Sequence, residues 1–423
     1  MLAPRALRSR SIAVAAAALG LAAITAPPGL ADGNARDPSD RKLREMLFIG
    51  SNWAGTVDVV RPQGKYRRIA RLDVIPDIEE RMAEIATDPV RLGYFLAIRE
   101  LVGEGNDQYV DDMYTSNDGR LLVASRPSFR DVVALDLRSG EIVWRFVVDG
   151  QRSDHMAVSP DGKQVAVSAS TGNVVHILDI ETGDEVGRFP SGDSPHENTY
   201  SADGDLIYHA SIGMVYTPAD DPTADTSKGD RYFQIVDAKT FEVLERIDMG
   251  AKLAEAGYPE MSSAVRPMAL SANEKRVYFQ VSFFHGFVEY NFKQDRVTRV
   301  ANLPVSDEVQ QIPREQYLLD SAHHGIALSG DGRRLCVAGT MSDYAAVVSR
   351  KSFRHKLIYA GEKPYWSTTS NDGKRCFVSW SGTDNVSVIS YKKRKVIANI
   401  PVGDHPQRVR MGTVRKSWLA AQR

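Results

Sequence analysis

The stretch DHMAVSPDGKQVAVSASTGNVVHILDIETGDEVGRFPSGDSPHE, Asp154 to Glu197, reads as one complete structural repeat with a histidine near each end. Three alternating apolar runs (Met156 to Val158, Gln164 to Ser168, Asn173 to Asp179) and a fourth around Glu185 to Phe189 are joined by Asp161-Gly162 and Thr182-Gly183, dipeptides that suit tight hairpin turns. This pattern predicts a four-stranded antiparallel unit. The next unit opens PHENTYSADGDLIYHAS, so His196 takes the place of His155 and the period is 41 residues. Four strands at a period of roughly 40–45 residues predict the blades of a β-propeller.

Working outward, LFIGSNWAGTVDVVRPQGKYRRIARLDV supplies three strands, one fewer than a blade needs. The missing strand is expected at the other terminus: HPQRVRMGTV, from His405, reads as an innermost strand without a blade of its own. The two termini would then close the ring in one blade, which removes exposed sheet edges. Between Ile75 and Gly103 the apolar spacing turns helical, and Pro89 divides two short helices. Two further insertions, IGMVYTPADDPTADTSKGD and AKLAEAGYPEMSS, interrupt the middle repeats. The count is six whole blades and one split blade: an all-β, seven-bladed propeller with a short helical insertion. Its expected extent is 43–415, with 416–423 as a C-terminal tail.

Net charge near neutral, −1 at pH 7, argues against a nucleic-acid partner. Arg5, Arg8 and Arg10 precede an apolar run from Ile12 to Ile24 and small residues near Ala31. That is the form of a secretory signal peptide over 1–31, followed by a polar linker over 32–42, and it predicts a secreted protein with no membrane association after cleavage. Cys336 and Cys376 are read as holding the same position in neighbouring repeats, with parallel side-chain directions, so buried free thiols are expected rather than a disulfide. Lys392, Lys393, Arg394 and Lys395 read as an exposed hairpin turn.

The SPDG-type turn, the strands VSVIS and VVHILDIETG, and IPVGDHPQ together resemble the YVTN family of bacterial seven-bladed propellers, over nearly all of Leu47 to Gly412. The YVTN tetrapeptide itself is blurred to VAVS, CVAG and FVSW, so the likeness is to the repeat type. The resemblance implies architecture far more than activity, because one propeller frame hosts many chemistries.

In such a ring the start of each innermost strand lines the central channel near one mouth, and the loop after the second strand opens on the same face. Residues about 41 apart in sequence should therefore converge. Seven of the nine histidines (His155, His196, His209, His285, His323, His324, His405) fall at these positions. The plainer reading of any one of them is an imidazole bonded to a backbone carbonyl of the next blade.

Three chemistries suit the set. One is a metal site, a single divalent ion on His155, His196, His323 and His405 with Glu197 or Asp154 beside them; the alternative is no cofactor. A second, ranked first, is β-elimination on a uronate-containing extracellular glycan. There His155, His196, His324, His405 or Tyr344 would serve as acid or base, and Arg126, Arg266 and Arg408 would clamp the carboxylate. Trp53, Trp366 and Trp380, with His285, would contact the sugar; blade packing is the other use for the tryptophans. The resemblance to propeller lyases and lactonases makes a metal-dependent lactonase or other hydrolase the third. A non-catalytic binding platform competes with all three, and a monomer is expected.

Overall fold

The computed structural model describes residues 42–214, 227–317 and 321–422, so the signal peptide and nearly all of the linker lie outside the described residues. Seven four-stranded antiparallel sheets make up the ring. The first blade is the split one: Pro406–Arg415 is its inner strand, followed outward by Leu43–Ser51, Thr56–Val60 and Arg68–Asp73. Leu43 pairs with Arg415 and Ser51 with Pro406, closing the ring through backbone hydrogen bonds between the two ends of the chain. Blades two to seven have inner strands Met113–Thr115, Ser153–Val158, Pro195–Tyr200, Val265–Leu270, Ile326–Leu328 and Pro364–Thr369.

A serine and an acid set most of the inner hairpins, with Asn273 in place of the acid in the fifth blade. Ser159 Oγ donates to Asp161 Oδ1 and accepts from the backbone N–H of Gln164, while Gly162 takes the left-handed conformation at φ 64°. The same contacts recur at Ser201 and Asp203, Ser329 and Asp331, and Ser370 and Asp372. Between blades the alternating side chains interlock; Val175, Ile177 and Phe189 of the third blade pack on Ile207 and Val236 of the fourth.

The helical excursion is α1 (Ile78–Thr87) and α2 (Pro89–Leu101). Asp88 caps α2 by accepting from the N–H groups of Val90 and Arg91, and Pro89 occupies its first turn, where no N–H partner is needed. Ile85 and Phe95 bury against Phe129, which fixes the pair to the second blade. The second insertion carries α3 (Met249–Glu255). Among the described residues no helix is long and apolar enough to cross a membrane.

Two expectations are corrected. The C-terminal segment is no tail: it forms α4 (Lys416–Ala421), whose Trp418 and Leu419 are buried in the core of the first two blades. Cys336 and Cys376 are joined in a disulfide, with Cα atoms 6.5 Å apart. They are not at the same repeat position. Cys336 lies opposite Ala327, whereas in the next blade Phe377 lies opposite Thr368 and Cys376 opposite Thr369. One residue of offset turns a strand side chain to the other face, so the two sulfurs meet between the sixth and seventh blades.

Candidate functional site

The inner strands are irregular where they enter the channel. In the fourth blade Pro195 pairs with Ser211 but Glu197 with Ala210, which leaves His196 as an extra residue. The seventh blade repeats this at Tyr365, and the register slips across Asp154 and His155 in the third blade and across Arg266 in the fifth. Such β-bulges re-aim side chains out of the strict alternation. Here they turn His155, His196, Arg266 and Tyr365 onto one small cavity on the axis, of about 30 Å³, which His324, Asp111 and Asp154 also line. That is room for about two water-sized groups. Val102 and Gln108, which follow α2, and Ile212 also line it, together with Arg152, Ser194 and Gln407.

Three imidazoles converge on it. The rings of His155 and His196 are 3.7 Å apart between centroids, and that of His324 is 5.7 and 5.6 Å from them. One ligand nitrogen from each lies within 4.8 Å of the others. His155 Nδ1 is 2.8 Å from Glu197 Oε2, and its Nε2 accepts from Nη2 of Arg408. His324 Nδ1 faces the backbone carbonyl of Tyr365 at 3.4 Å, and Nδ1 of His196 has no hydrogen-bond partner among the described residues. Burial first, then the neighbouring guanidiniums and imidazoles, holds all three well below the usual histidine range, so they are neutral.

Charge surrounds them. Arg408 is fully buried, with its guanidinium 4.0 Å above the Trp366 ring and 3.6 Å from Asp111 Oδ2. Its Nε and Nη1 have no hydrogen-bond partner among the described residues, and neither has Asp111 Oδ2. Burial pushes Asp111 up to about 6, against the pull of Arg408. It pushes Glu197 up to about 8, while Arg408 and Arg410 pull the other way. The hydrogen-bond pattern decides between these for Glu197: with a guanidinium donating to Nε2, the His155 proton sits on Nδ1 and Glu197 accepts as a carboxylate. Burial likewise raises Tyr365 to about 12, so its phenol is protonated.

Other residues expected at the mouth go elsewhere. His323 turns away from His324, pairing through Nε2 with the Tyr344 hydroxyl at 3.1 Å, with the His285 ring 5.7 Å away. His285 itself bonds Tyr317. His405 stacks on Trp53 at 3.8 Å, and His209 is held between Asn198 and Ser191. Arg126 is no open clamp, because Asp131 and Asp77 occupy its guanidinium. Trp380 is sealed between blades and donates to Ser387. Of the expected set, His155, His196, His324, Arg266, Arg408 and Trp366 are brought together. Asp111 and Tyr365 stood at the same repeat positions but were not assigned roles; their signal was the alignment of inner-strand starts.

Two of the larger openings, both apart from the imidazoles, differ in lining. One of about 370 Å³ is lined by Tyr114, Trp366, Arg410 and the far side of Glu197. The other, of about 1340 Å³, spans the hairpins of the last three blades.

No protein-family model matches the chain, and no curated protein matches it. Among solved structures it is similar to a chain of Kuenenia stuttgartiensis Hydrazine Synthase, at 15% identity and a TM-score of 0.55, over 73% of this chain and 96% of that one. At that identity the likeness is one of fold, the seven-bladed propeller.

Proposed function

We propose that this is a secreted, monomeric propeller of the YVTN repeat type that acts on a uronate end group by β-elimination in the axial cavity. The observation that carries the reading is that three neutral imidazoles and Asp111 line one small cavity, with the Arg408 guanidinium hydrogen-bonded to His155 and 3.6 Å from an Asp111 oxygen that has no hydrogen-bond partner among the described residues. Sites that pair a buried cation with a carboxylate of raised affinity for protons are suited to removing a proton beside a carboxylate. The disulfide supports an oxidising compartment.

His155, His196 and His324 fit a divalent metal that prefers nitrogen. The Nδ1 contact of His324 leaves its Nε2 for the ion and Nδ1 of His196 has no hydrogen-bond partner among the described residues, whereas Nε2 of His155 would have to be released by Arg408; Glu197 orients that ring. When bound, the ion would neutralise the substrate carboxylate as a Lewis acid. Arg408 and Arg266 would hold the same carboxylate. Asp111 would take the proton from the neighbouring carbon, the C–H electron pair would become the double bond as the C–O bond beyond it breaks, and the Tyr365 phenol would protonate the departing oxygen. The cavity takes the acid group and not a whole ring, so the sugar would rest against Val102, Gln108 and Ile212.

The test is a screen of uronate oligosaccharides for the ultraviolet absorbance of an unsaturated product, with metal content measured on the same sample. Asp111→Asn should lower turnover by about a hundredfold or more with the fold intact. Absence of the chromophore on every uronate overturns elimination. Hydrolysis is the second reading, favoured by the alternative donor set Asp111, Asp154 and His155, and it would release product without that absorbance. Binding with no turnover of either kind would leave a binding platform.

A further inference from the structure

The chain is nearly neutral, yet the opening of about 1340 Å³ is not. Ten lysine and arginine side chains line it against three carboxylates, Glu289, Asp331 and Asp372. Those acids are already engaged: Glu289 by Arg299, Asp331 by Ser329, and Asp372 by Arg375 and Ser370. Arg333, Lys351, Arg354, Lys374, Lys392 and Arg394, by contrast, have no side-chain ion pair among the described residues, and they come from the tight turns of the sixth and seventh blades. Gathering so many like charges costs repulsion that only a bound polyanion or salt relieves.

We infer that this groove is a docking surface for a carboxylated polysaccharide chain. The inference rests on the uronate reading above and names how the polymer is held. The imidazole cavity is built at the entrances of the inner strands, whereas the groove is built from the turns at the opposite ends of the blades. A glycan gripped there is therefore bound away from the reacting end group, which raises the local supply of chain ends without blocking the cavity. A single carboxylated chain fits better than the other polyanions. The one aromatic ring in the groove, Tyr391, is buried and offers no face for stacking nucleic-acid bases. Among its described lining residues no large exposed apolar side chain is present to enter a bilayer.

The experiment measures binding of polygalacturonate to the full mature chain at rising salt, beside duplex DNA and phosphatidylglycerol vesicles. The triple variant Arg333→Glu/Arg354→Glu/Lys392→Glu should bind polygalacturonate about tenfold or more weakly and lose most of the salt dependence, with turnover of a short uronate unchanged. Glutamine at the same three positions serves if charge reversal unfolds the protein. Unaltered affinity in a folded variant overturns the inference, as does tighter binding of the DNA or the vesicles than of polygalacturonate. Salt-dependent polygalacturonate binding that falls in the variant, with no turnover of any uronate, keeps the docking surface and removes the elimination reading.

Discussion

Two fully buried arginines in this ring have opposite surroundings. Arg126 meets Asp131 and Asp77, whereas Arg408 leaves two nitrogens without hydrogen bonds and lies against an imidazole and an indole. Removing one partner of a buried ion pair leaves a charge stranded, so Arg126→Ala should destabilise the protein by about 3–5 kcal/mol, read from denaturant unfolding. Arg408→Met removes a cation that the fold satisfies only in part, and its carboxylate neighbour Asp111, already pushed up to about 6 by burial, can take up a proton in its place. Its melting temperature should be equal to or above that of the parent, and turnover should fall by about a hundredfold or more. A melting temperature well below the parent's would make Arg408 a structural residue and take it out of the site. The residue types at the mouth were readable from the sequence because inner-strand entrances align at a period of 41. What each guanidinium meets was not, since Asp77 comes from the helical excursion and stands outside the repeat.

At the level of strands, the difference between expectation and structure is one residue. The hairpin signals located every blade, and the split closure followed from a missing strand, yet neither reports where a strand slips register. Bulges at His196 and Tyr365 decide that those side chains enter the channel, and the repeat pattern reads straight through them. The cysteines failed without a bulge: 40 residues separate them where the period is 41, an offset readable in the sequence, and the odd residue turns the sulfurs toward each other. The bridge closes a long loop between two blades, which stabilises by about 2–4 kcal/mol through the unfolded chain. Cys336→Ser/Cys376→Ser should therefore melt at a lower temperature than the oxidised parent, and the parent plus reductant should follow the variant. Identical melting curves for all three would mean that the thiols are free in solution, as their spacing first suggested.

Across the whole ring, neutral imidazoles are part of what the fold requires. His209 and His405 are pushed down to about 3 and His285 to about 4, each chiefly by burial, and His323 lies well below the usual range for the same reason. These four make their contacts away from the three imidazoles assigned to the ion, although His209 shares the fourth blade with His196 and His323 is the sequence neighbour of His324. In the unfolded chain each titrates near 6.5, so between about 6.5 and 4 the unfolded state binds protons that the folded state refuses. Their contribution to stability is complete above about 6.5 and is lost progressively as pH falls toward the folded values. Asp111, raised to about 6, acts in the opposite sense, stabilising toward low pH and losing that contribution as pH rises through its folded value. Four groups outweigh one. Chelator-treated protein should thus melt at a lower temperature at pH 5 than at pH 7, and His209→Gln, which keeps a polar contact but cannot take up a proton, should narrow that gap. A melting temperature that holds or rises on acidification would mean that these imidazoles are charged in the folded ring, and the neutral floor assigned to the axial cavity would have to be reconsidered with them.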